Sequence, residues 1–302
     1  MTRPQSTRAS ILIPFAVVTL IWGSTWIVIR DQIGLVPAAW SVSYRFLIAG
    51  AAMAAYAAWR GDTLRLDGRG LRFAALVGVA QFVLNFNFVY RAEGHITSGL
   101  VAVVFALLLV PNALFARVFL GQKLGRQLLA GSAVAVAGIA LLFIHEVRSD
   151  PNGPGASLTG IALTLCALLS ASTANVLQAT PTAKAYPIAS VLAVGMLLGG
   201  VLDAAYAWTA SGPPTVEWRW GYLLGILYLA LAASAVAFTL YFRVIQTIGP
   251  AKAAYSGVIV PVIAMLLSTL FEGYRWSPLA AAGAGLAGVG LVIALTARRP
   301  AR

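Results

Sequence analysis

Charge is scarce in this sequence. Of its 302 residues only 10% are Asp, Glu, Lys or Arg, against about a quarter in a soluble domain. So few charges cannot clothe a soluble chain of this length. There is one cysteine, Cys166, inside an apolar run, which excludes an intrachain disulfide and a cysteine-based metal site. The two histidines, His95 and His145, stand fifty residues apart without ligand spacing, so no metal site is expected. The phosphate-binding pattern G-x-x-x-x-G-K-[ST] is missing, which argues against ATP hydrolysis by this chain, and no Ser–His–Asp arrangement suggests itself. No cofactor is expected. No signal-peptide cleavage site is evident, and the first apolar run, from Ile11, outlasts a signal core and reads as a retained helix.

What is abundant is apolar. Hydrophobic residues make up 60% of the chain and the mean hydropathy is +0.86. Runs of about 17–25 apolar residues are long enough to cross a bilayer as helices. Ten such spans can be marked, at 11–29, 38–59, 71–90, 96–119, 126–144, 157–178, 186–208, 219–242, 251–271 and 277–296. The connections are mostly short. The longest polar one, "HEVRSDPNGPGAS" at 145–157, lies at mid-chain, and no segment is left over for a soluble domain.

The net charge of +12 would suit a nucleic-acid partner, but its placement points to the lipid bilayer instead. With the N-terminus in the cytoplasm, fifteen Lys and Arg fall on the inner side and five on the outer, with Arg45 inside a span. Cytoplasmic loops of membrane proteins carry such an excess. Both termini are therefore expected in the cytoplasm, and no nucleic-acid partner is expected.

The two halves resemble each other. Residues 91–143, shifted by 152 positions, bring Arg91 onto Arg243, Ile96 onto Ile248, and Gly121, Gly131 and Gly138 onto Gly273, Gly283 and Gly290. A unit of five spans returns the chain to the opposite face, so its second copy must insert upside down. The expected fold is an all-α polytopic membrane protein, with ten transmembrane helices as two inverted five-helix repeats, 1–150 and 151–302. Inverted repeats are the architecture of many secondary transporters, with the substrate near the midplane between them.

Several motifs resemble those of the drug/metabolite transporter superfamily, specifically its EamA-domain members. They are "IWGSTWIVIR" in span 1, "YRFLIAG" in span 2, and the long stretches from Thr97 to Leu142 and from Ile248 to Ile293 that close the two halves. The resemblance covers nearly the whole chain. It implies ten helices, transport of a small-molecule substrate across the cell (inner) membrane, and export of amino-acid-like metabolites. The sequence departs from the family's Gly-Glu pairs with Gly121-Gln122 and Gly273-Tyr274, while Glu272 lies two residues early.

Arg45 is the residue that most needs explaining, because a lone cation among apolar atoms is costly. It lies about 12 Å into span 2 at 1.5 Å per residue. Ser41 and Tyr44 are expected on its face. Intramembrane charges usually face a cavity. Two roles stay open for Arg45: contact with an anionic group of the substrate, or a structural or gating role, in which it pairs with helix-end carbonyls or with Asp203. Asp203 is the only carboxylate inside a span and a candidate for proton coupling. The resemblance, which commonly places an Arg here, favours the structural or gating role.

Other candidates for a cavity lining fall on helical stripes. Trp22, Thr25 and Trp26 share a face of span 1. Gln81 and Asn85 share one of span 3, and Asn175 and Gln178 one of span 6. Tyr255 in span 9 completes the set. Each has a plainer reading as packing or as interhelical hydrogen bonding. The glycine-rich last span reads as a packing face, with a homodimer surface as an alternative. A non-transporting receptor or scaffold, and less readily an intramembrane enzyme, are the rival functions. The enzyme lacks paired acids or an intramembrane histidine, so the chain is not expected to be one.

Overall fold

A computed structural model describes residues 6–123, 125–149, 154–254 and 259–296. Among them every element is helical. The long helices are α1 (Ser6–Asp31), α2 (Ala38–Arg60), α3 (Gly68–Ala92), α4 (Ser98–Leu120), α5 (Arg126–Ser149), α6 (Pro154–Leu177), α7 (Ile188–Ser211), α8 (Trp220–Ile248), α9 (Ile259–Phe271) and α10 (Pro278–Leu295). Seven of them, α1 and α3 to α8, contain stretches long and apolar enough to span a membrane. Helices α9 and α10 are shorter apolar helices. Helix α2, of 23 residues, carries Ser41, Ser43, Tyr44 and Arg45 within its apolar run. Leu20, Val118, Phe119, Leu266 and Phe271 stand exposed on the outside of the bundle. This is the surface that lipid covers in a multi-pass membrane protein.

Local signals set the helix ends. Asp67 caps α3 by accepting from Gly70 N–H at 2.7 Å, and Ser277 caps α10 with Pro278 following it in the first turn. Helix α2 stops at Gly61, whose φ of +74° is the left-handed conformation that glycine adopts without a Cβ penalty. The polar connection expected at 145–157 is mostly helical, because α5 runs on to Ser149 and α6 starts at Pro154. The sequence expectation stopped both helices where their apolar runs end, but helical hydrogen bonding continues beyond them.

Three helices depart from regular geometry, α4 by tightening to a 3₁₀ turn over Ala106–Leu108 and two others by widening. Helix α3 widens to a π-helix over Gly78–Asn85, and α8 does so over Leu231–Val236. Such segments, with i→i+5 hydrogen bonds, occur often at functional sites. Both fall in the centre of the bundle.

Close packing depends on small residues. Gly131 of α5 meets Gly290 of α10, and Gly138 meets Gly283. The numbering rises along one helix as it falls along the other, so the two are antiparallel. Helices α2 and α7 repeat the pattern, with Gly50 against Leu197 and Gly200 against Leu47. Ser43 secures that pair by donating to Gly200 O at 2.8 Å. Lipid tails are as apolar as leucine, so these helices associate through close contact and hydrogen bonds rather than through the hydrophobic effect.

A Cβ on Gly138 would lie 2.3 Å from Ala287 N and 2.6 Å from Gly283 O, both backbone atoms that cannot yield cheaply. Gly138→Leu is therefore expected to cost about 1–3 kcal/mol or more through overpacking. Gly285 has open space at the same point, so Gly285→Ala should keep or slightly raise stability, as Gly→Ala does inside a helix. Thermal unfolding in detergent checks both. Equal midpoints for wild type and Gly138→Leu would show that this crossing does not hold the bundle together.

Candidate functional site

A cavity of about 100 Å³ lies at the centre of the bundle. Pockets for drug-sized ligands are about 300–1,000 Å³, so this one suits a small solute. Its walls come from α1, α2, α3 and α4 of the first half of the chain and from α6, α8 and α9 of the second.

Helix α1 supplies Trp22, Thr25 and Trp26 from one face, as their spacing requires. Trp22 donates its indole N–H to Ala233 O at 3.1 Å, and its ring lies edge-on to Tyr241 at 4.8 Å. Ala233 belongs to the π-segment of α8, so the widened turn offers its carbonyl to α1. Trp26 packs on Phe105 with ring centroids 5.2 Å apart, and its indole nitrogen makes no hydrogen bond within the protein. Gln81 and Asn85 lie in the π-segment of α3. Asn85 Oδ1 is buried without a donor. Asn175 of α6 reaches the cavity next to Asn112, 3.5 Å away.

Arg45 is 1% exposed and reaches the same cavity. Its Nε donates to Ser234 Oγ at 2.9 Å, and Ser234 in turn donates to Leu229 O, five residues back across the π-segment. The guanidinium lies over the Phe86 ring at 4.2 Å and over Phe46 at 5.3 Å. A cation over an aromatic face gains electrostatic attraction in compensation for lost water. Tyr90 and Glu93 are also in its electrostatic surroundings. Its Nη1 has no hydrogen-bond partner in the protein.

The possible pair of Arg45 with Asp203 does not form. Asp203 faces α3 instead, where it accepts from Asn87 Nδ2 at 2.7 Å, and it does not line the cavity. Tyr44 is also elsewhere. Neighbours on a helix point about 100° apart, so Tyr44 cannot share the direction of Arg45. It stacks on Trp40 and donates to Thr215 O at the rim. Ser41, four residues before Arg45, bonds Tyr222 at 2.9 Å rather than facing the cavity. Gln178 lies just past the end of α6 and accepts from Gln246 Nε2 at 3.3 Å, outside the cavity. Tyr255 falls outside the described residues.

Sequence reasoning missed several wall residues. Phe86, Phe105 and Phe238 contribute rings, and Pro261 closes one side. Phenylalanines are so common in membrane spans that none of these carried a distinguishing signal. Ser234 was missed as well, because "LAASAV" reads as plain helix. No cluster of three or more His, Cys, Asp or Glu that would suit a metal occurs among the described residues.

The sequence profile of the EamA-like transporter family matches residues 9–144 and again 158–296. The chain is 26% identical over 273 residues to Protein PagO of Salmonella typhimurium, covering 89% of this chain and 88% of that protein. It is 31% identical over 255 residues to the uncharacterized inner membrane transporter YedA of Escherichia coli, covering 84% and 80%. A probable terminal-alkyne amino-acid exporter of Streptantibioticus cattleyicolor is 28% identical over 284 residues, covering 90% and 89%. A solved crystal structure, 19% identical with a TM-score of 0.68, shares the fold across 95% of this chain and 96% of its own.

The Trp22 contacts give a graded expectation. Trp22→Phe keeps a ring against Tyr241 but loses the bond to Ala233 O, which costs about 1 kcal/mol. Trp22→Ala also leaves a hole and costs about 3–5 kcal/mol. Unfolding midpoints in detergent measure both, and equal losses would mean that the ring contributes nothing beyond its N–H.

Proposed function

Because this chain belongs to the EamA-like transporter family, and so is a multi-pass membrane transporter, we propose that it is a secondary transporter of small organic solutes. It works across the cytoplasmic membrane by alternating access, as two inverted five-helix repeats rocking about the central cavity. Its preferred direction is export and its solutes are amino-acid-like.

The helix contacts support the inverted repeat. Helix α2 packs on α7, α4 on α9 and α5 on α10, and adding five to each number of the first half returns the same pairs. The exchange also turns α1–α8 into α6–α3 and α1–α9 into α6–α4, and all four contacts occur. The antiparallel crossings of α2 with α7 and α5 with α10 fit a twofold axis in the membrane plane. The family profile matches once in each half, which supports division near residue 150. The excess of Lys and Arg on the N-terminal side supports cytoplasmic termini.

The single observation that carries the transport reading is the chemistry of the cavity wall. Among aromatic rings it holds free N–H donors at Trp26 Nε1 and Arg45 Nη1 and a free acceptor at Asn85 Oδ1. Such a wall can take the carboxylate of a solute at Arg45 and its apolar part against Phe86, Phe105 and Phe238. The relative named as a probable amino-acid exporter supports that class and direction. We read Asp203 as joining α7 to α3 through Asn87, with proton coupling as its other candidate role.

Flux in reconstituted vesicles tests the reading, with a panel of amino acids and polyamines presented on either side. At least one amino acid should cross and accumulate, and no movement of any solute would sink it. Arg45→Lys keeps the charge but loses the planar fork. It should weaken uptake of carboxylate-bearing solutes about tenfold, some 1.4 kcal/mol, and spare neutral ones. Equal loss for both, with less folded protein, would make Arg45 structural only.

A further inference from the structure

A second polar cluster lies at one end of the bundle, away from the cavity wall. Glu93 follows α3 directly, one residue beyond its apolar span, and is 0% exposed. Neither of its carboxyl oxygens has a hydrogen-bond partner. Beside it is Glu272, which follows α9. That carboxylate is well held. It accepts from Ser98 Oγ at 2.6 Å and Ser98 N–H at 3.3 Å, in the first turn of α4, and Arg30 Nε is 3.5 Å away. Arg30 also donates to the backbone carbonyl of Glu93. Its charge is thus directed to the peptide of Glu93 and the side chain of Glu272, leaving the Glu93 carboxyl unpaired.

Burial, the helix end and a like charge all disfavour a negative charge on Glu93. A buried ion without partners is expensive. The C-terminus of a helix is the negative end of its dipole, and Glu93 caps that end of α3. Glu272 adds a like charge. The opposing cations are Arg30 from α1, which is 43% exposed and so screened, and Arg45 from α2, which already bonds Ser234. Tyr90, one turn back on α3, is the remaining titratable neighbour, and its hydroxyl donates to Gln32 Oε1 at 3.0 Å. Burial first, and Glu272 second, push the Glu93 carboxyl well above the usual carboxylate range, against the pull of Arg30 and Arg45.

We propose that Glu93 is a proton-binding site, loaded from the outer aqueous face past Arg30 and Glu272 and felt at the cavity through Tyr90 and Arg45. In the conformation described here it carries the proton. A rearrangement that frees Arg30 from Glu272 would let that cation reach the Glu93 carboxylate, so the proton leaves and the charge is paired. The link to flux rests on the transporter reading above; the occupancy of the site does not. Asp203 is the competing buried acid: its Oδ1 accepts from Asn87 at 2.7 Å, while its Oδ2 has no partner, so the test must separate the two carboxyls.

Infrared spectroscopy of the purified full-length protein reads the proton directly, without a solute. Asp203→Asn serves as the background, so that Asp203 adds no band of its own: a protonated-carboxyl band should persist there at neutral pH and vanish when Glu93→Gln is added. Glu272→Gln removes the neighbouring charge and frees Arg30, so it should lower the midpoint at which that band is lost by about one pH unit. This second variant decides the matter if Glu93→Gln does not fold. A band that survives Glu93→Gln in the Asp203→Asn background, or a midpoint unmoved by Glu272→Gln there, would overturn the site. In vesicles that move a panel amino acid, an imposed pH gradient should drive accumulation by wild type, while Glu93→Gln retains only exchange. Equal response of the two would overturn the coupling. Vesicles that move nothing while the band behaves as expected would sink the transporter reading and leave the proton site standing.

Discussion

The contact between Arg45 and Ser234 is the one on which the interior depends. A guanidinium placed among apolar helices cannot be left without acceptors. Ser234 supplies one, and it can do so because the π-segment of α8 lets its hydroxyl bond Leu229 O while accepting from Arg45 Nε. The same widened turn gives Ala233 O to Trp22. One irregular stretch of α8 thus holds side chains from both α1 and α2. Phe46 and Phe86 complete the surroundings of the cation with ring faces.

Around that centre the bundle is closed by helices that approach through glycine. The crossings of α5 with α10 and of α2 with α7 bring backbones together where any side chain would intrude. Polar ties are few and specific, such as Ser43 to Gly200 and Asn87 to Asp203. In lipid such ties are worth about 0.6 kcal/mol each on average, so close contact accounts for much of the association and the polar ties fix register.

Much of this was legible in the sequence, for physical reasons that can be named. Gly131 and Gly138 align in sequence with Gly283 and Gly290, and all four lie at the crossing of α5 with α10. The inward direction of Arg45 followed from the cost of exposing it to lipid. Trp22, Thr25 and Trp26, and Gln81 with Asn85, announced a shared face by their spacing, and all five border the cavity together with Arg45 and Asn175. What was not legible depends on distant parts of the chain. Asp203 turned towards Asn87 rather than Arg45, which no spacing could show. Tyr44 was misplaced by treating adjacent helical positions as one face. Glu93, in "YRAEGHIT", reads as a loop residue; its burial comes from the ends of α1 and α9, far away in sequence.

The π-segment of α8 has a consequence for how this architecture diversifies. A widened turn holds one residue more than the α-helical ladder requires. Because the widened turn absorbs that residue locally, deleting one residue between Leu231 and Val236 would restore regular winding while Phe238 and Tyr241 kept their direction into the chamber. The loss would be confined to the turn itself: Ala233 O would return to the helical ladder and leave Trp22, and Ser234 would no longer stand where Arg45 Nε meets it. The bulge thus separates the chemistry at one point of the helix from the placement of everything after it.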